Sequence, residues 1–398
     1  MGDSTRTNES ERRERETERD RKGGSRAESQ PGKTGLDALG IDALGKFSLR
    51  RRWVGSERPW RVSAAAFPEE GTPVEQAQFL VRYAVLAPSS HNTQPWLFNV
   101  SGDEIRLFAD TDRWLTVADP DKRELYLSLG AALENLLVAA EHFGLGHDVR
   151  YLPGSDSNHA ATVRLSSGDG DSSRASGSGK SGASASQHRD SRLFEAIPRR
   201  RTGRGQYQER TIPREDLGAI RDSCVEDDVT LQFVADPQKL GTVADLTARA
   251  DRRQFADPAY RRELGRWIGR GAFGDSWPGA KMGKLLVTYL NVGRRQARKD
   301  AASIRNAPLV AVVRTKSDGR GAQIRAGQVF ERASLLATVL GVQTHPMSAA
   351  LEVPSIRREL TDLLGRPEWS SQHLFRLGYA EGVSGPSPRR RAEAVLVE

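Results

Sequence analysis

The sequence predicts an α+β fold, with helix-like and strand-like stretches in both parts of the chain. Three observations carry the prediction. Arg123–His142 repeats Leu125, Leu129, Leu133, Leu136, Leu137 and Ala140 at helical spacing, and Gln328–Leu340 is a second apolar helix. Between the helices lie short strand-like runs: Trp96–Val100, Ile105–Ala109, Asp148–Leu152, Val229–Val234, Leu309–Val313 and Leu374–Tyr379. Glycines close the two long helices, at Gly144 and Gly146 and at Gly341.

Taken in order, residues 1–71 read as a disordered or arm-like extension. Arg12–Lys22 has nearly balanced charge and no apolar stripe, so burial cannot offset its ordering entropy. Arg50–Trp53 and Pro59-Trp60 have the composition of an arm that packs its tryptophans on a folded body, or meets an anionic partner. A first half, 72–165, opens on Thr72-Pro73, a helix start with proline in its first turn. Gln78–Leu86 is its first helix, and Asp119-Pro120 caps the helix at 123–142.

Residues 166–190, rich in Gly, Ser, Ala, Asp and Arg, read as a flexible insertion. They hold Gly177-x-Gly179-x-x-Gly182, but no strand precedes it and no apolar helix follows, so the dinucleotide-binding geometry is missing. Gly179-Lys180-Ser181 lacks the upstream glycine of a P-loop, since Arg174 stands there. The second half, 191–398, continues with helices over Arg214–Asp222, Gln238–Arg252 and Ala256–Ile268. Gly269–Pro278, with Phe273 and Trp277, is a candidate lid.

Composition removes several classes of function. The chain of 398 residues has room for two domains. No apolar run nears the length of a membrane span and the N-terminus has no apolar signal segment, so no membrane partner is expected. A single cysteine, Cys224, excludes an intramolecular disulfide and a cysteine metal cluster, and fits a reducing cytoplasm. The net charge of +8 raises nucleic acid as a partner, but acidic residues interleave with the basic ones and none is expected. His142 and His147 straddle a helix end and make no metal pair.

Two stretches carry chemistry. Pro88-Ser89-Ser90-His91-Asn92-Thr93-Gln94-Pro95-Trp96 sits between a helix and a strand. Its prolines stiffen a short turn, and its hydroxyls and amides can donate and accept at a heteroaromatic edge without bringing charge. On local physics it is equally a helix stop followed by a polar loop. Arg199-Arg200-Arg201-Thr202-Gly203-Arg204 puts guanidinium forks and a hydroxyl on one turn, which suits phosphate oxygens or a solvated basic turn.

The first stretch resembles the flavin loop of the nitroreductase superfamily, with the pattern Pro-Ser-Ser/Ala-x-Asn-x-Gln-Pro-Trp before an apolar strand. The second resembles the family's Arg-Arg-Ser-x-Arg phosphate motif. Pro388-Arg389-Arg390-Arg391 is similar to its C-terminal Pro-Lys-x-Arg, and Gly341–Ser348 to the loop beside the isoalloxazine. The resemblance covers roughly 72–160 and 190–398. It implies a mixed, mainly antiparallel sheet flanked by helices, in two related halves, with FMN as cofactor and NAD(P)H as electron donor. The implied cofactor residues are Pro88, Ser89, Ser90, Asn92 and Gln94, then Arg200, Thr202 and Arg204, then Pro346, Met347 and Ser348, then Arg389 and Arg391. Ser348-Ala349 stand where the family often has Glu-Gly.

In ordinary members the arginine motif precedes the proline loop, and each flavin lies between two subunits. Here the order is reversed, as in two fused units that have each kept half of a site. This arrangement is similar to the Acg-like branch. It implies one FMN per chain and a monomer acting as a pseudo-dimer. The implied reaction is hydride transfer from NAD(P)H through FMN N5 to a nitroaromatic or quinone. The alternative is an FMN-binding or storage protein under a closed lid. His91 and His345 flank the site as packed neutral histidines or as proton donors.

Overall fold

The computed structural model describes residues 55–154, 158–167, 189–274, 276–380, 382 and 385–398. Arg12–Lys22, Arg50–Trp53 and the glycine pattern at 177–182 lie outside the described residues.

The first half begins with α1 (Pro73–Ala84), whose start has Thr72 and Glu75 in a reciprocal capping box. Strands β1 (Trp96–Ser101) and β2 (Glu104–Ala109) form a tight hairpin, α2 (Arg123–His142) follows, and β3 (Leu145–Tyr151) and β4 (His159–Ser167) complete a sheet. Lys122, with a positive φ, stands at the N-cap of α2, while the Asp119 carboxylate accepts from the amides of Glu124 and Leu125, both at 2.9 Å. Asp119 thus satisfies two of the orphan donors of that helix end.

In the second half come α3 (Leu193–Ala196), α4 (Arg214–Asp222) and β5 (Val229–Val234). Residues 235–308 then hold four helices: α5 (Pro237–Ala256), α6 (Pro258–Ile268), α7 (Trp277–Tyr289) and α8 (Gly293–Arg305). The chain returns through β6 (Leu309–Thr315), α9 (Arg320–Val339), β7 (Gln343–Pro346), α10 (Ala349–Glu352), α11 (Pro354–Leu364) and β8 (Ser370–Gly378).

Both sheets are antiparallel and share one strand order: β1-β2-β4-β3 and β5-β6-β8-β7. In each, a long helix joins the second strand to the third. These two helices, α2 and α9, pack on one another where Gly130 meets Gly327. A Cβ on Gly130 would lie 1.9 Å from the Ile324 carbonyl oxygen, and one on Gly327 2.0 Å from that of Leu127. The paired glycines mark an internal two-fold relation, and the α+β fold with two related halves is the observed architecture.

One apolar core runs through both halves, from Leu80, Trp96 and Leu133 to Ile324, Leu335 and Phe375. The second sheet has a second core on its other face, beneath α5, α8, α10 and α11. Strand β6 is therefore buried at all seven positions, whereas β2 alternates toward solvent. The C-terminal tail crosses back to β1: the Val397 amide donates to the Phe98 carbonyl and the Phe98 amide to that of Val395, each at 2.8 Å.

Candidate functional site

Beyond α1 the chain enters the proline loop in a strained form. His91, Asn92 and Gln94 all have positive φ, at 47°, 52° and 53°. For a non-glycine residue this conformation costs roughly 1–2 kcal/mol, so surrounding bonds must enforce it. Ser89 does so from within, its hydroxyl accepting from the Gln94 amide at 2.9 Å. The Asn92 and Thr93 amides also donate within the loop, to the carbonyls of Ser89 and Ser90, and further bonds come from distant segments.

The C-terminal segment supplies most of them. Asn92 Nδ2 donates to the Pro388 carbonyl at 2.9 Å, and Asn92 Oδ1 accepts from Arg389 Nη1 at 2.8 Å. Arg390 donates its amide to Gln94 Oε1 at 2.6 Å, and its guanidinium reaches Asp110 at 3.0 Å and the Gln94 carbonyl at 3.1 Å. Arg391 lies exposed at the start of a short 3₁₀ turn. Trp60, from the N-terminal arm, has Arg389 and Arg201 over its ring, at 4.8 and 4.5 Å, and donates to the Ser387 carbonyl at 2.7 Å.

Arg389 and Arg200 meet behind the loop, both donating to the Leu86 carbonyl. Glu331 of α9 lies beneath them, fully buried, with its Oε1 3.3 Å from Arg200 Nε. That contact is an ion pair without hydrogen-bond alignment, since Arg200 Nε has no hydrogen-bond partner among the described residues. Burial, then the neighbouring Arg200, pushes the Arg389 guanidinium well below its usual range. Burial also lifts Glu331 to about 7, against the pull of Arg200 and Arg389. Four cations, with Arg201 and Arg204, thus converge where one buried carboxylate sits. The group can bind an anion and can hold no further cation.

The arginine turn is fixed against β7. Gly203 donates to the Thr344 carbonyl at 2.9 Å, and Thr202 bridges Thr344. Arg376 of β8 clamps the turn from behind, donating to the carbonyls of Gly203 at 3.0 Å and Gly205 at 2.7 Å. Its Nε donates to His345 Nδ1 at 3.1 Å, and its guanidinium lies 4.1 Å from the Tyr207 ring centre. A His345 ring that accepts there carries its proton on Nε2, and burial with Arg376 holds its pKa well below the usual range. His91 is likewise neutral, pushed by burial down to about 4, with its Nδ1 unpartnered among the described residues. Met347 is buried, and the Ser348 hydroxyl lies 3.0 Å from His373 Nδ1.

The insertion between β5 and β6 closes over the loop. Asn92 Nδ2 donates to the Ala272 carbonyl at 2.8 Å, in the turn between α6 and α7. Gly271 and Gly274 flank that carbonyl with φ of 76° and 89°, which glycine adopts without strain. Glu263 of α6 anchors the insertion to the first half, accepting from the Ala118 amide at 2.9 Å. Phe273 lies beneath Arg204, 5.7 Å from its guanidinium carbon. The cleft bounded by Ser90, Thr93, Pro95, Arg113 and Ser128 is about 10 Å³.

The internal two-fold points to a counterpart, four residues past the other glycine. There Glu134 of α2 accepts from Arg189 Nε and Arg332 Nε, both at 2.7 Å. Arg332 also pairs with Glu226 at 2.9 Å and donates to the Ser223 carbonyl just past α4, as Arg389 does to that of Leu86 past α1. Here the charges are matched, and the two arginines hold Glu134 well below the usual carboxylate range despite its burial. The counterpart is filled by its own side chains.

Of the residues expected from sequence, the structure brings Arg200 and Arg389 together at the Leu86 carbonyl, and Asn92 and Gln94 beside Arg389 at the Pro388 carbonyl. Thr202 and Arg204 lie on the turn along β7, beside the segment of Pro346, Met347 and Ser348, while Pro88, Ser89 and Ser90 form the loop's entry. Trp60, Glu331, Arg376 and Arg390 were not expected in the site. Trp60 had a weak signal in its basic-aromatic surroundings; a glutamate or arginine inside an apolar helix or strand pattern had none.

No family model matches the chain. A Mycobacterium tuberculosis protein named "Putative NAD(P)H nitroreductase Rv3131" is 29% identical over 336 residues, 81% of this chain and 91% of its own length. The acg protein of the same organism, also named as an NAD(P)H nitroreductase, is 26% identical over 347 residues, 83% of this chain and 97% of its own. Among solved structures, an FMN-bound nitroreductase from Bacteroides fragilis covers 52% of this chain and 98% of itself, at 19% identity and a TM-score of 0.35. The chain, an α+β protein of two related halves, is thus similar over about four fifths of its length to proteins named as NAD(P)H nitroreductases, the acg protein among them.

Proposed function

We propose that the chain is an FMN-dependent NAD(P)H oxidoreductase of nitroreductase type, with one flavin site per chain. The observation that carries this reading is the cluster of Arg200, Arg204 and Arg389 around the strained loop at 88–94, with a single buried carboxylate among them. The residues fit the phosphate end of FMN: a dianion would give Arg200 Nε the hydrogen bond it lacks and offset the burial and like-charge repulsion that depress Arg389. Arg200, Arg204 and Arg389 would hold the phosphate, with Thr202 and the exposed Arg391 at its margin. Pro88, Ser89, Ser90, Asn92 and Gln94 would flank the ring on one side, and Pro346, Met347 and Ser348 on the other. Bound FMN would supply two-electron chemistry between a reduced nicotinamide and a nitroaromatic or quinone. The matched charges at Glu134 support one flavin per chain, and the fused halves support a monomer as the working unit.

The protein's own groups place and shelter the cofactor. Arg389 and Arg390 hold Asn92 and Gln94 in shape, Arg376 holds the arginine turn, and Ala272–Gly274 exclude water. The neutral state of His91 and His345 speaks against either as a general acid at neutral pH.

The bond from Asn92 to Ala272, with the Glu263 anchor, favours a second reading: a flavin-binding or storage protein with little turnover. One experiment separates them. The purified protein should show a flavin spectrum near one per chain, and anaerobic NADPH should bleach it within seconds. A bound flavin that stays oxidised supports storage. Arg204→Ala and Asn92→Ala should each lower flavin occupancy; full occupancy in both variants overturns the site assignment.

A further inference from the structure

Four of the seven most exposed large apolar side chains among the described residues fall within nine positions of the insertion. They are Met282 at 43%, Leu285 at 51%, Tyr289 at 76% and Leu290 at 54%. The first three follow at the three- and four-residue spacing of one helical face of α7. The opposite face is fixed: Ala280 and Gly283 are buried, Val287 packs on the cluster of Tyr260 and Trp267, and Gly265 meets Thr288. α7 cannot roll to hide the stripe. Scattered apolar residues on a surface mean little, but a contiguous row on an otherwise polar surface marks a contact.

The charges around the row say what it contacts. From Ser276 to Lys299 there is no acidic residue. Lys281 and Lys284 flank the stripe on α7 itself, and Arg294, Arg295 and Arg298 follow in α8, all exposed. A second copy of this face would oppose its lysines to their own like charges. A nucleic acid would answer the charge and leave the leucines in water. An anionic bilayer answers both, taking Leu285, Tyr289 and Leu290 into its headgroup boundary and the cations against its phosphates.

We propose that the outer face of α7 is a docking surface for anionic lipid membranes. No helix of the described residues is long and apolar enough to cross a bilayer, and surface attachment needs none. The expectation of no membrane partner rested on the lack of a span and does not bear on this mode.

The test is co-sedimentation of the full chain with phosphatidylcholine vesicles, with and without phosphatidylglycerol. The protein should sediment with the anionic vesicles and not with the neutral ones, and salt should release it. Leu285→Glu should weaken binding about tenfold, since burial of one leucine side chain is worth at least that factor. Lys281→Glu with Lys284→Glu should weaken it as well, while flavin content stays unchanged in all variants. Failure to bind anionic vesicles overturns the proposal. So does binding that Leu285→Glu leaves intact, which would be adsorption by charge alone. A concentration-dependent dimer abolished by Leu285→Glu, without vesicle binding, would assign the face to a second copy and equally overturn it.

Discussion

The contact of Gly130 with Gly327 makes a prediction whose size can be worked out. Alanine at either position puts a Cβ about 2 Å from a backbone carbonyl oxygen of the facing helix, where ordinary contact begins at 3.4 Å. Backbone cannot swing aside as a side chain can, so α2 and α9 must part by roughly 1 Å. A gap of that size forfeits a quarter to a half of each dispersion contact along the seam. With about 40 atom pairs at about 0.15 kcal/mol, the loss is roughly 1.5–3 kcal/mol. Alanine's better helix propensity returns about 1 kcal/mol, so each variant should lose about 0.5–2 kcal/mol.

The double variant should lose clearly less than the sum, because the first separation already makes room for the second methyl. Gly241→Ala in α5 is the control: nothing lies within 4 Å of its Cβ, and it should be stabilised by roughly 0.5–1 kcal/mol. Urea unfolding followed by tryptophan fluorescence measures all four proteins. Stabilisation by Gly327→Ala like that of the control, or strict additivity of the pair, would refute the close crossing. Since α9 carries Glu331 to the site, the same variants should also hold flavin less tightly.

Two further predictions concern buried groups near the arginine turn. Burial, then Asp300 and Glu352, lifts Asp251 from 3.8 to about 8, so the native state holds a proton that the unfolded chain has released. That stabilisation is full below 3.8 and is lost as pH rises through about 8, so thermal melts of Asp251→Asn should gain on the wild type across this window; parallel curves would sink the assignment. Arg376→Lys keeps the charge but cannot reach the carbonyls of Gly203 and Gly205 and His345 together. It should raise the flavin Kd about tenfold or more with little change in melting temperature, and an unchanged Kd would remove Arg376 from a positioning role.

How much of this was legible in sequence depended on what kind of signal each element carries. Helix α2 spans the residues expected of it, as do α4 and β5, because large apolar side chains set their period. Helix α8 buries Ala297, Ala301 and Ile304, a stripe too small to stand out among arginines, and α7 was obscured by Gly279 and Gly283. The candidate lid therefore ends at Ser276, where a helix begins. Helix α9 starts eight residues before its expected Gln328, because its first turns bury Ala322, Gln323 and Ala326 with Ile324 as their one large apolar side chain, too sparse a stripe to set a period. The proline loop was legible because proline and amides act locally. Glu331 and Arg376 meet the arginine turn, at Arg200 and at Gly203 and Gly205, across more than a hundred residues, and no local pattern announces that.

The reversed order of the motifs follows from how the halves use each other. A two-fold pair of halves would build two sites, each from one proline loop and one arginine turn. Here the proline loop follows α1, and Ser223–Asp228 occupies the equivalent place after α4 without a proline or an amide side chain. At that place Arg332 ties Glu134 to Glu226 and to the Ser223 carbonyl. Removing one member would leave an uncompensated buried charge, at a cost of about 3–5 kcal/mol, so the network locks the helix seam. The same pair of positions thus serves two ends. Glu134, saturated by arginines, holds the halves together, while Glu331 is left short of partners among an excess of cations, the imbalance on which the proposed anion site rests. The turn between β1 and β2 stays short where the second sheet carries four helices, and one of their connecting turns meets the proline loop at Asn92.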